Sequence, residues 1–132
     1  MSFNDSKKEK YIKAAREMGL PENVEAMGYV TGPDGQEIIT FSFAADRDIV
    51  KDVFIKLARE DETMLAVAGA VRELALGQAV MGLDLIGPAE IDKLLCDDGD
   101  EPADEEFYAM LLMTMAIKNA LVSYADYRRI NK

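Results

Sequence analysis

Histidine is missing from this chain of 132 residues, and cysteine occurs once, at Cys96. Without imidazole there is no Ser-His-Asp or Cys-His nucleophile, no histidine metal ligand and no side chain whose ordinary pKa lies near neutrality. A lone cysteine can form neither an intramolecular disulfide nor a dithiol redox pair. No apolar run approaches transmembrane length, and the opening MSFNDSKKEKY is polar where a signal sequence would be hydrophobic. A cytoplasmic protein that does not enter a membrane is therefore expected. Cationic charge is also scarce, with fifteen Lys and Arg against twenty-five Asp and Glu, a net charge of −10. Nucleic acid draws its binding energy from cationic contacts to phosphate, so it is not an expected partner, and neither is an anionic membrane surface.

What the chain does have is a regular succession of patterns. Its length suits a single domain, residues 1–132, with a core large enough to need no disulfide or metal. SKKEKYIKAAREMG predicts an amphipathic helix, with Tyr11, Ile12, Ala15 and Met18 on one face and Lys7, Lys8, Lys10, Lys13 and Arg16 on the other. Ser6 or Asp5 is the expected cap and Gly19 the expected end. The basic face is expected to be solvated. GYVTGPDGQEIITFSFAAD then alternates about a Gly-Pro-Asp-Gly turn, placing Ile39, Phe41 and Phe43 on one face of a strand. A turn at residues 45–48 leads to a third strand carrying Ile49, Val53, Ile55 and Leu57, with imperfect alternation.

The period then becomes helical. Met64, Val67, Ala68, Val71, Leu74 and Ala75 form one stripe, and Ala66, Gly69 and Ala70 are small enough for close packing, with Gly77 closing the helix. PAEIDKLL, residues 88–95, predicts a short helix with Pro88 in its first position. A long helix follows from Asp104, its cap, and residues 107–117 are apolar almost all round, which predicts burial on more than one side. The fold class is α+β: an N-terminal helix, a three-stranded antiparallel sheet, then three helices over one face.

Between the last two helices lies CDDGDEPADEE, residues 96–106, with the cysteine and seven carboxylates. Gly99 and Pro102 break regular structure, and like charge predicts an extended, solvated and mobile loop over residues 97–106. A cysteine near so many carboxylates is expected to be a poor thiolate and unreactive.

Several of these residues resemble the NifU/IscU-like (U-type) iron–sulfur cluster assembly scaffold family. Glu73, Gly77, Val80, Ile86, Glu90, Ile91 and Leu95 fall at the family's intervals without a gap. AIKNALVSY, residues 116–124, is similar to its Ala-rich closing helix, and Pro21, Asn23 and Val24 to its Pro-x-Asn-Val segment. The resemblance covers nearly the whole chain and implies the SufE/NifU-like fold, a non-enzymatic role in cluster assembly and partners such as a cysteine desulfurase. It also implies a [2Fe–2S] cluster on three cysteines, since soft thiolates suit such clusters. The three matching places here are the turn Asp34-Gly35-Gln36, the stretch from Arg59 to Asp61, and Ala109. None is a cysteine, so a [2Fe–2S] cluster is not expected, and Cys96 lies outside all three places. The family's Leu-, Pro-, Val- and Lys-rich chaperone segment is likewise replaced by the acidic loop.

Three readings stay open. Carboxylates near the lost ligand places, Asp34, Glu37, Asp61 and Glu105, are hard oxygen donors that would take Fe²⁺, Mn²⁺, Mg²⁺ or Ca²⁺. The same residues occur at turns and helix starts, where acids stabilise without any metal. A binding module that keeps the fold and not the cluster is the second reading, with Met110, Met113 and Met115 as either an adaptable surface or plain core. Enzymatic acid–base chemistry is the third, and no apolar pocket to shift a carboxyl pKa is visible in the sequence.

Overall fold

The structure, a computed structural model, describes residues 2–19 and 23–130. Helix α1 spans Asp5–Arg16 and is followed by strands β1 (Ala26–Thr31), β2 (Glu37–Asp46) and β3 (Ile49–Leu57). Helices α2 (Glu62–Ala75), α3 (Pro88–Leu95) and α4 (Asp104–Ile130) complete the order, with a 3-10 segment at Val80–Leu85 ahead of α3. The strands form one antiparallel sheet in the order β1-β2-β3. This is the expected α+β arrangement. Pro21 of the Pro-x-Asn-Val match lies outside the described residues.

Strand β2 is the hub. Ile39, Phe41 and Phe43 are fully buried on one face, as the period-two spacing predicts. Val30, Gly28 and Ala26 of β1 pair with Ile39, Phe41 and Phe43, and so share that face. Helix α4 lies across β1 and β2, and α2 packs against β3. At the α4 contact, a Cβ added to Gly28 would stand 2.1 Å from the Ala116 carbonyl oxygen and 2.2 Å from the Ala120 nitrogen. Glycine on the strand and alanine on the helix bring the two backbones together. Gly69 does the same for α1 and α2, where a Cβ would lie 2.0 Å from the Tyr11 carbonyl oxygen.

Strand β3 departs from the expected alternation. Val50, Val53 and Phe54 are buried, while Ile49, Ile55 and Leu57 are half-buried. A register shift between Ala44 and Ala45 gives β3 an extra residue, so Val50 and Val53 both turn inward despite an odd spacing. The turn before it uses two residues in the left-handed region, Arg47 at φ 54° and Asp48 at φ 63°, the geometry of a tight two-residue hairpin. Asp48 then anchors α4: the Tyr124 hydroxyl donates to its carboxylate at 2.5 Å, and Arg128 donates to the same oxygen. These contacts hold the Asp48 carboxyl below its usual pKa, the Tyr124 bond first and the Arg128 guanidinium second.

Helix ends differ from the sequence expectation in several places. Asn4, not Ser6 or Asp5, caps α1, its Oδ1 accepting from the Lys7 N–H at 3.1 Å. The helix stops at Arg16, ahead of Gly19. Its basic face is partly committed, not wholly solvated: Lys7 pairs with Asp97 at 3.2 Å, Lys8 with Glu62 and Lys10 with Glu73, each at 3.8 Å. Asp61 caps α2, and Gly77 at φ 83° follows that helix. Helix α4 begins with Asp104, so Asp104 is its first residue and not its cap.

The acidic loop is tied down at both ends, against the expectation of a freely mobile segment. At its start, Cys96 is buried and Asp97 is held by Asn4 and Lys7. At its end, Glu106 is only 5% exposed. Its Oε1 accepts from the Ala103 N–H at 2.8 Å, and Oε2 accepts from the Phe3 N–H at 3.1 Å. The Asn4 N–H donates to the Leu95 carbonyl at 2.7 Å. The first residues of the chain thus lie across the loop's two ends, with Phe3 buried between them. The middle, residues 97–101, remains exposed, and Gly99 at φ 88° turns it back so that the Asp100 N–H reaches the Asp97 carbonyl.

Helix α4 is not buried all round. Ala109, Met110, Met113, Ala116, Ile117 and Ala120 face the core, while Phe107, Tyr108, Leu111, Met115 and Val122 are exposed. Met110 and Met113 are core, and Met115 is surface. Contrary to the expectation that nothing in the chain reaches that size, Asp104–Arg129 is long and apolar enough to cross a membrane by length and composition. Its inner face, however, is packed into the domain.

Candidate functional site

The three places where the resemblance puts cluster ligands lie far apart in sequence, and the fold brings them to one cleft. The hairpin turn after β1 contributes Asp34 and Gln36, the entry to α2 contributes Arg59 and Asp61, and α4 contributes Tyr108 and Leu112. Ile38 and Met64 supply apolar wall, and Glu37 stands at the rim of a cleft of about 730 Å³. Ala109 itself points into the core and is 3% exposed, so its neighbour Tyr108 occupies the third side of the cleft.

Each carboxylate here has a local structural task. Asp34 Oδ1 accepts from the Gln36 N–H at 3.1 Å and shapes the β1–β2 turn, with Gly35 at φ 81°. Glu37 Oε2 accepts from the Thr40 hydroxyl at 3.2 Å. Asp61 Oδ1 accepts from the Met64 N–H at 2.8 Å as the cap of α2. Glu105 is exposed in the first turn of α4 and does not line the cleft. Three of the four proposed oxygen ligands therefore share one cavity and the fourth does not. Among the described residues, no group of three or more Cys, Asp or Glu side chains is placed to hold a metal ion.

The thiol is elsewhere. Cys96 closes α3 beside residues 2–4, 4% exposed, with its Sγ 3.7 Å from the Ser2 carbonyl oxygen. Burial pushes the Cys96 thiol up to about 12, and the carboxylates of Asp92, Glu106 and Asp100 push in the same direction. At neutral pH it is a protonated core residue, in line with the expectation of low reactivity.

The apolar lining of the cleft, Ile38, Met64, Tyr108 and Leu112, is not apparent from the sequence. Tyr108 lies in a run that reads as apolar almost all round, yet it is 61% exposed. The available signal is its place one residue before a ligand position of the resembled family.

Comparison with known proteins agrees with this geometry at the level of the fold. No family model matches the sequence, and no curated protein is detectably similar to it. Solved structures are. The N-terminal part of a nitrogen-fixing NifU-like protein from Brucella abortus superposes with a TM-score of 0.57 at 13% identity, covering 89% of this chain and 92% of that one. A putative iron–sulfur cluster assembly scaffold protein for the SUF system from Fervidobacterium islandicum AW-1 gives a TM-score of 0.59 at 21% identity, covering 87% of this chain and 93% of that one. At these identities the likeness is one of architecture, and it extends over most of both chains.

Proposed function

We propose that this chain is a scaffold-fold protein of iron–sulfur cluster biogenesis that carries no [2Fe–2S] cluster on three cysteines and works as a cytoplasmic protein-interaction module. The observation that carries the reading is the cleft. The three segments where the resemblance would put ligands line one cleft, and in place of thiolates they present a turn aspartate, a helix cap and an exposed tyrosine over an apolar wall. The cluster, as cargo, needs several soft ligands at one point. A chain with one cysteine, buried and held protonated at the far end of α3, does not offer them. An apolar cleft with an aromatic at its edge instead suits contact with a protein.

The partner proposed is a cysteine desulfurase or another component of the assembly machinery from the same cell. Calorimetric titration of the purified chain with those components tests this. A complex that weakens on Tyr108→Ala and on Leu112→Ala is expected. No complex with the desulfurase or with a cysteine-bearing scaffold from the same cell would remove the reading.

A second reading is a divalent metal site built on carboxylates, favoured by Asp34, Glu37 and Asp61 lining one cavity. Each keeps one carboxylate oxygen beyond its structural bond, and hard cations take such ligands. Here Glu105 would have to reach the cleft from the first turn of α4. Titration with Mn²⁺ followed by electron paramagnetic resonance decides it: binding lost in Asp34→Ala supports the site, and free Mn²⁺ throughout rejects it.

A further inference from the structure

The outer face of α4 carries an unusual order of side chains. Tyr108, Leu111, Met115 and Val122 are 61%, 39%, 52% and 65% exposed. They recur at alternating steps of three and four when Lys118 is counted at its place between Met115 and Val122. That is the seam of a helix meant to pack along another helix, not the scattered exposure of an ordinary surface. The inner face is already used by the sheet, so this seam is additional to the fold. Lys118 stands in the middle and is neutralised within its own chain by Asp84 at 3.0 Å. Met81 and Leu85, on the same 3-10 segment as Asp84, are 74% and 76% exposed and widen the apolar surface beside the seam.

The ends of the seam identify what covers it. One step of four before Tyr108 is Asp104, in a first turn that also holds Glu105. Two further steps beyond Val122 is Arg129, in the basic last turn. Reversed, the series reads the same way: an antiparallel copy aligned on the midpoint between Met115 and Lys118 sets Asp104 against Arg129 of the second copy. In that alignment Leu111 meets Val122 of the second copy, and Met115 meets Lys118 of the second copy. Acid meets base at both ends, Leu111 meets an apolar side chain, the Met115 side chain lies against the aliphatic stem of a lysine whose charge Asp84 of its own chain holds, and the two helix dipoles oppose. The Arg129 side chain is 79% exposed and, among the described residues, pairs with Asp126 on its own helix at 3.2 Å, leaving other guanidinium donors directed outward for a second carboxylate.

We propose that two copies of this chain pair through the outer faces of their α4 helices, antiparallel about a twofold axis, with Met115 near the axis and an Asp104–Arg129 contact at each end. The net charge of −10 per copy opposes association at long range, so the seam has to supply the affinity. Sedimentation equilibrium on the full chain tests the pairing. A dimer is expected, and Met115→Glu should yield a monomer with an unchanged far-ultraviolet spectrum. Arg129→Glu should raise the dimer dissociation constant by up to about tenfold, since two exposed ion pairs become repulsive contacts. Adding Asp104→Arg to Arg129→Glu should restore the wild-type value. That exchange decides the matter even if Met115→Glu fails to fold. A wild-type monomer at every concentration, a dimer indifferent to Met115→Glu, no recovery in the double exchange, or binding of the wild-type chain to lipid vesicles through this face would each overturn the proposal.

Discussion

At the scale of single residues, the most informative side chains sit at the two ends of the acidic loop. Cys96 reads in the sequence as a poor nucleophile because of its neighbours' charge, and the structure puts burial ahead of that charge as the cause. The expected outcome is negligible reaction with a thiol reagent at pH 8 in the native protein and rapid reaction once the chain is unfolded, followed by absorbance of the released chromophore. Glu106 reads as one more acid in a helix's first turn. It is instead a buried acceptor for two backbone N–H groups, Phe3 and Ala103. Nothing local marks it, because the Phe3 donor comes from 103 residues away. Glu106→Ala leaves the buried Phe3 N–H without its acceptor and should lower stability by about 2 kcal/mol in chemical denaturation. Glu106→Gln, which keeps one acceptor oxygen, should lose less. The cleft's carboxylates Asp34, Glu37 and Asp61 were legible as residues near one place. The turn task of Asp34 and the cap task of Asp61 were legible too, since both follow from local sequence, while the bond Glu37 accepts from Thr40 was not.

At the scale of elements, local periodicity was enough for α2, α3 and the buried face of β2. It failed where the partner decides. Strand β3 looks irregular because its alternation is broken by a bulge, which is a property of its pairing with β2. Helix α4 reads as buried on more than one side because apolar residues also occupy its outer face, and sequence alone does not say which side meets the sheet. The 3-10 segment Val80–Leu85 has too few residues to show a period. The small residues were visible as such, and their use is specific. Gly28→Ala would push a methyl group into the α4 backbone, and Gly69→Ala would push one into the backbone of α1. Neither neighbour is a flexible side chain that could move aside. Each substitution should therefore destabilise by about 3 kcal/mol or more, read as a lowered denaturation midpoint at unchanged slope.

At the scale of the whole molecule, contacts that tie the ends of elements together contribute to stability against acid. Asp48 is held low by Tyr124 and then Arg128, and Asp97 by Asn4 and then Lys7. Both folded-state pKa values lie below the ordinary 3.8. The unfolded chain therefore binds more protons as acid is added. The contribution of these contacts is in place above the unfolded pKa and is lost as pH falls through the lower folded values. Stability should be nearly flat from about pH 5 to pH 8 and fall below about pH 4. Asp48→Asn should remove part of that fall, which separates it from the relief of negative repulsion that acid also brings. The architecture itself was legible from the order of elements and the spacing of a few residues, and its likeness to known scaffold structures spans most of the chain. The cleft was less so. It needs the β1–β2 turn, the entry to α2 and the start of α4 to meet, and only the fold brings them together.

We propose above that this architecture persists here without the cluster. Iron and acid-labile sulfide content, measured with the visible spectrum after anaerobic purification and attempted reconstitution, tests it most directly. A folded, colourless protein without stoichiometric sulfide is expected. Iron and sulfide in equal amounts, with the absorption of a [2Fe–2S] centre, would contradict it.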